Sequence, residues 1–415
     1  ANTTLPDGNT INVSDAWAIN GDQLFYTSTN YAGGKPDTKV YYDKFGRIRK
    51  EEKASINSSG SNWHTVLTTY DANGNVKTKT NPYFPATETA RITTNNYDVY
   101  NRLSSVVNDI GTTSTAYNVI GSGNVQTTVT NAAGQSSSQI TDASGKVISA
   151  TDQGGTLNFT YNSRGDQTQV IMGGVTLSSS VYDMYGKQTS LTDKNAGTVN
   201  YTYDAYGQLI TQTDAKGNAY AMVYDDLGRL ITRTGPEGTT TNEYYKDPAN
   251  AACNNNSLSK VTGFNGIVKE YTYDALKRLS SEKTIIPTGL SDYYSQYNVF
   301  SSQSNTYTIF YVYNSFSLPF KTTYPSGLEI NNYYDANGYL TGVYNGATQN
   351  AANMLYTSGT VDGEGRNKTY TLGNGKVTTN TYTKDFLSAT ATPGVQSLSN
   401  SFELNTGNLL QRNDI

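Results

Sequence analysis

Thiol and imidazole groups are almost missing from this chain of 415 residues, which has one cysteine, Cys253, and one histidine, His64. A single cysteine excludes an internal disulfide framework and any multi-cysteine metal site, and a single histidine excludes a histidine-rich one. Charge is scarce as well. Charged residues make up 15% of the chain and the net charge is −4, where an average soluble domain carries about 25% charged residues. The basic residues are scattered among acids, so the chain lacks the electrostatic footprint of a nucleic-acid binder. No run approaches the ~18 apolar residues of a membrane span. No basic segment followed by an apolar core opens the chain, so any signal peptide is absent or already removed.

What is abundant is tyrosine, at 35 residues against 11 Phe and 2 Trp, together with 38 glycines and many Thr, Ser and Asn. This is the composition of many short strands joined by tight turns, with polar β-formers on exposed faces.

The tyrosines recur in a motif: Tyr-Asp, then glycine three residues after the Asp. Clear copies are Tyr42-Asp43 with Gly46, Tyr70-Asp71 with Gly74, Tyr203-Asp204 with Gly207, Tyr224-Asp225 with Gly228 and Tyr334-Asp335 with Gly338, and Tyr182-Asp183 with Gly186 is among the degenerate ones. Degenerate copies place Asn101 after Tyr97-Asp98 and Lys277 after Tyr273-Asp274, and Tyr161-Asn162 keeps Gly165. Tyr161, Tyr182, Tyr203, Tyr224 and Tyr245 are 21 residues apart at each step, as are Tyr313 and Tyr334. About sixteen units of roughly 21 residues fit, so residues 1–415 read as a single repeat region. A second turn signal follows about eleven residues after each tyrosine, as in Thr213-Asp214-Ala215-Lys216-Gly217, so a unit reads strand, turn, strand, turn.

Elementary chemistry explains the motif. Aspartate at the start of a turn accepts a hydrogen bond from the backbone two residues on, and glycine three residues later can take φ > 0. The tyrosine sits at a strand end, where its ring can pack over the neighbouring hairpin. With the units in register, equivalent rings are expected to stack as a ladder across hairpins and to supply most of the cohesion. The expected fold is all-β: tandem hairpins forming one antiparallel ribbon, which must coil because sheets twist. Raw sheet edges at both ends mark it as a stretch of a longer chain.

The unit Tyr224-Asp225-Asp226-Leu227-Gly228-Arg229-Leu230, with Tyr42-Asp43-Lys44-Phe45-Gly46-Arg47-Ile48, resembles the YD repeat of the Rhs family. That family includes bacterial polymorphic toxins, shell subunits of insecticidal toxin complexes, wall-associated proteins and teneurins. The resemblance implies a spiralling β-shell, non-enzymatic, exported to the cell surface or beyond. It also implies a C-terminal toxin or effector of the same polypeptide as cargo, with delivery machinery as a further partner. The family's terminal Asp-Pro-x-Gly-Leu element is not matched here, since Asp247-Pro248 runs into Ala249-Asn250-Ala251, so cargo processing is not expected within these residues. The other reading is a surface adhesin that binds through insertions near 50–65, 246–260 and 284–310.

No cofactor, metal or catalytic residue is expected. His64, beside Trp63 in what reads as an insertion, lacks a nucleophile motif nearby. Cys253 lies in a loop-like stretch without a neighbouring base. The Asp71–Asn75 and Asp335–Gly338 turns have the composition of a calcium loop but lack its distal glutamate. The tyrosines could offer a stacking platform to sugars or single strands, but their period fits wall packing better.

Overall fold

The structure is a computed structural model that describes residues 2–5, 8–20, 23–56, 63–245, 256–287 and 305–414. The insertion around 246–255, with Cys253, most of that at 284–310 and residues 57–62 lie outside them. Among the described residues all regular structure is β, with 35 strands in one sheet. The pairings are antiparallel and join strands that follow one another in the chain. The chain forms two compact units. One contains 1–115, 130–135 and 311–415; the other contains 116–129 and 136–310.

The second unit shows the repeat in its most regular form. Strands Gln188–Asp193, Gly197–Tyr203, Leu209–Thr213 and Ala219–Tyr224 succeed one another. Side chains alternate across them: in Ala219–Tyr224 the residues Tyr220, Met222 and Tyr224 are half-buried on one face, and Ala219, Ala221 and Val223 are exposed on the other. Cross-strand threonines pair their hydroxyls, Thr192 with Thr198 at 2.9 Å and Thr234 with Thr239 at 3.0 Å, which is how β-branched polar residues contribute to a sheet lacking apolar cover.

The first unit holds early strands such as Thr38–Asp43, Ile48–Ala54 and Trp63–Tyr70, together with late ones such as Glu329–Tyr334, Leu340–Asn345 and Val377–Thr383. Burial is deepest here, yet it is polar. Thr65, Thr378, Ser55 and Asn331 are the largest side chains withdrawn from solvent, and Ala54 is the sole buried hydrophobic residue among the described ones. The wall is therefore held by its hydrogen-bond ladder and by side-chain bonds to the backbone, since it has almost no apolar core to draw on.

Candidate functional site

The repeated turn is where this chain concentrates its chemistry. In the Tyr224-Asp225 copy, Asp225 Oδ1 accepts from the backbone N–H of Leu227 and Arg229, both at 3.0 Å, and the Gly228 N–H donates to the Asp225 carbonyl at 2.8 Å. The same double acceptance occurs at Asp43, Asp71, Asp183, Asp204, Asp274 and Asp335. One carboxylate oxygen thus closes the turn from both sides, to residues two and four along. The glycine slot is left-handed, with φ of 73° at Gly46 and 89° at Gly207; Asn101 and Lys277 occupy it at 60° and 66°, a conformation that strains side-chain-bearing residues.

The residue after the glycine slot completes the turn. Arg47, Arg102, Arg229, Arg278 and Arg366 each donate Nε to the free Oδ2 of their own aspartate at 2.7–2.8 Å. The Arg229 side chain holds the Asp225 carboxyl well below its ordinary range, at about 2. The guanidinium then covers the tyrosine of the following unit: Arg47 lies 4.4 Å from the Tyr70 centroid, Arg229 4.4 Å from Tyr244 and Arg366 4.4 Å from Tyr382. Lys146 and Lys187 take the same place over Tyr161 and Tyr203, each at 5.6 Å.

From Tyr70 onward the tyrosine hydroxyls reach back to the unit before. Tyr70 donates to the carbonyl of Ile48, Tyr182 to Gln167, Tyr203 to Gln188, Tyr224 to Leu209, Tyr273 to Leu258 and Tyr334 to Pro319, at 2.8–3.0 Å. The acceptor is always two residues past the glycine slot. A bulge explains why that carbonyl needs a partner. Tyr203 opposes Leu209 while Thr202 opposes Thr211, which leaves Ile210 extra, and the next ladder goes no further towards the turn than Thr211 opposite Ala221. The hydroxyl supplies the bond that the splayed strands omit. Burial, together with Tyr201 and Asp183, pushes the Tyr203 hydroxyl above its usual range, so it remains a donor across neutral pH.

Two expectations need correction. The rows of tyrosine are joined through carbonyls, and at Tyr70, Tyr161, Tyr203, Tyr244 and Tyr382 an Arg or Lys of the preceding turn also lies on the ring; the ring-on-ring ladder expected from the spacing is not how these tyrosines are linked. The strand pitch explains this: equivalent residues are two strands, roughly 10 Å, apart, too far for ring contact but within reach of a long basic side chain. Tyr244 holds the ladder position that the 21-residue spacing assigns to Tyr245, donating to the Leu230 carbonyl at 3.1 Å. The hairpin before it turns tightly, Gly235 opposite Gly238, and so removes one residue from the unit.

In the first unit, turns from late strands dock on turns from early ones. The Ala336 carbonyl accepts from Gly34 N–H at 3.0 Å, Asn337 Nδ2 donates to the Ser55 carbonyl at 2.8 Å and the Tyr339 hydroxyl to Ala54 at 3.0 Å. Phe316 packs its ring where Gly33 and Gly34 have no side chain, and a Cβ at Gly338 would overlap the Gly34 carbonyl. Lys53 Nζ sits 5.9 Å from the Tyr339 ring centroid across this seam. Further along, Arg91 binds Glu364 at 2.7 Å, Asp385 at 2.8 Å and Asp109 at 2.9 Å, and the bonds to Asp385 and Asp109 push the guanidinium pKa up.

His64 belongs to this seam. It lies inside strand Trp63–Tyr70, opposite Lys53, rather than in an insertion. Its Nδ1 is 2.6 Å from the Gly363 carbonyl oxygen, and its ring packs at 4.9 Å on Phe84. Glu88 accepts from the Gly363 N–H at 3.0 Å. In the calcium-like turn at Asp71, both carboxylate oxygens are spent on Asn73 and Asn75. Among the described residues no three His, Cys, Asp or Glu side chains gather as a metal site would require. The grip of the arginine on its aspartate and the tyrosine-to-carbonyl bond escape a reading of the repeat unit. The recurring Arg47, Arg102, Arg229, Arg278 and Arg366 are the signal that could have found the first.

Comparison with known proteins places these features. The RHS Repeat family matches residues 182–219 and 203–240. No curated protein matches the sequence. Among solved structures, TcdB2-TccC3 superposes with a TM-score of 0.78 at 15% identity, covering 97% of this chain and 24% of that one. The TcdB2-TccC3-Cdc42 structure gives 0.77 at 14% identity, over 94% of this chain and 23% of that one. A Tc holotoxin pore of Photorhabdus luminescens gives 0.76 at 14% identity, again over 94% and 23%. At these identities the likeness establishes the fold, and the chain spans about a quarter of the length of the structures it matches.

Proposed function

We propose that this RHS-repeat chain is a length of wall in a shell that encloses, or presents, a C-terminal effector of the same polypeptide. The observation that carries the reading is the unit-to-unit bond. Most turns are closed on their own aspartate or asparagine, and in copy after copy the tyrosine is tied to the unit before it, so strand follows strand in a sheet with almost no apolar core. Such a construction bounds a space; it does not shape a cleft around reacting groups. The repeat residues Tyr42, Asp43, Gly46, Tyr203, Asp204, Gly207, Tyr224, Asp225 and Gly228, with their counterparts in the other copies, are in this reading structural, and residues 1–415 act as one repeat region. Wall and cargo would be exported together to the cell surface or beyond, with delivery machinery as the outside partner.

Limited proteolysis of the complete polypeptide tests the reading. The segment beyond the repeats should resist a protease that digests it readily when it is expressed alone, and should lose that resistance when Gly338→Val opens the wall. Equal cleavage with and without the wall would overturn the proposal.

A further inference from the structure

The second residue after the motif aspartate stands at the tip of each turn. In the first unit the late tips are seated: Phe316 on Gly33 and Gly34, Asn337 on the Ser55 carbonyl, Glu364 on Arg91 and Asn81. In the second unit, three successive tips are large, apolar and open to solvent. Tyr185 is 76% exposed, Tyr206 93% and Leu227 65%. They stand two strands apart, so they form a row with a step of roughly 10 Å.

The opposite edge of the same unit has a complementary character. At Gly173, Gly174 and Gly217 the place of a Cβ is open space, as a receptor for an aromatic tip requires. Lys194 and Lys216 stand exposed on the turns of that edge. A lysine over a tyrosine ring is a contact that this fold already uses, within the ladder at Lys187 and Tyr203 and across the seam at Lys53 and Tyr339. Both edges share one step, because both are built from the same two-strand unit, so tips and receptors can meet in register along the whole row. The seam of the first unit shows the fit directly, with a tip of this chain, Phe316, seated on the glycine pair Gly33-Gly34 of its own opposite edge.

We propose that the Tyr185–Tyr206–Leu227 edge docks on the Gly173-Gly174, Lys194 and Lys216-Gly217 edge of a second copy of this chain, head to tail. The pairing repeats between copies the way late turns seat on early turns in the first unit. It uses two different edges, so it leaves one of each unfilled at the ends and the association does not close. The inference concerns the outer edges of the wall and does not depend on any cargo.

Sedimentation velocity of the purified chain over a range of concentrations tests it. The wild type is expected to grow in mass with concentration past twice 45.1 kDa. The variant Tyr185→Ser/Tyr206→Ser/Leu227→Ser, which blunts the tips, should stay at one chain, and Lys194→Glu/Lys216→Glu, which spoils the receiving edge, should stay there too. Mixed together, the two variants should form a one-to-one pair, since each retains the edge the other lacks. All substituted side chains are exposed, and an unchanged far-ultraviolet circular dichroism spectrum verifies the fold. A wild type that remains a single chain at every concentration, either variant associating as the wild type does, or a mixture that fails to pair would each overturn the proposal. None of these results bears on the protease test of the wall.

Discussion

The late turns of the first unit and the turns of the second are built alike and use their tips in opposite ways. At Asp335 and at Asp204 the carboxylate closes the turn through identical bonds to residues two and four along. Yet Asn337 at the first tip reaches across to Ser55, while Tyr206 at the second projects into solvent. The turn is thus a self-contained device whose closure is local. Its tip is free to vary and takes its meaning from whatever lies beyond it. For a repeat fold this separates what must recur from what can specialise.

Acid offers the broadest way to test whether the turns behave as independent devices. The Asp225 carboxyl is lowered from its ordinary 3.8 to about 2. It therefore contributes stability that is complete above the unfolded value and is lost as pH falls through the folded one. Asp71, Asp142, Asp183 and Asp214 are lowered as well, through their own turn partners. In the first unit Asp109 is lowered chiefly by Arg91. The β signal in circular dichroism is expected to hold down to the ordinary carboxylate range and to collapse below it, in both units together. Loss of structure in one unit near neutral pH would show that a different group governs it.

Substituting the glycine slot sharpens the contrast between units. A Cβ at Gly338 would run into the Gly34 backbone, whereas one at Gly207 would meet only the end of the Lys187 side chain. Gly338→Ala is expected to cost about 3 kcal/mol or more, combining left-handed strain with overpacking, and Gly207→Ala about 1–2 kcal/mol from strain alone. Hydrogen exchange at the Gly34 amide, which bonds to Ala336, should rise in the first variant and stay unchanged in the second.

Removing one hydroxyl tests the unit-to-unit bond with a smaller effect. Tyr224→Phe keeps the ring and leaves the Leu209 carbonyl without its donor, a loss of about 1 kcal/mol, read as a lower urea midpoint. The smallest change runs the other way. Lys277 adopts φ 66° where most copies have glycine, so Lys277→Gly should stabilise the chain by up to about 1 kcal/mol. The same measurement on Gly228→Lys should give a loss of similar size.

Much of this could be read from the residues, for a physical reason that differs from feature to feature. The hairpins, the aspartate bond to the residue two along and the left-handed glycine all depend on chemistry within five positions, so the Tyr-Asp-x-x-Gly pattern is enough to place them. The second aspartate bond, four residues along, and the arginine that grips Oδ2 are equally local; the arginine stands in the repeat unit itself, but its place after the glycine does not by itself show that it turns back onto the aspartate. Tyr245 misled because a one-residue saving in the Gly235–Gly238 hairpin is invisible to a period. His64 misled because a lone histidine beside a tryptophan looks like loop, whereas its partner, Gly363, is 299 positions away in the chain.

On its own, then, the amino-acid order determined the strand, the turn, their recurrence and the family they resemble, since each follows from short-range hydrogen bonding and backbone geometry. Only the folded molecule decided which tips are seated and which are bare. It also revealed that a carbonyl, and in several copies a cation, takes the place of another ring as the partner of the ladder tyrosines. Those outcomes depend on contacts between residues far apart in the chain, or on distances of about two strands, which no local pattern encodes.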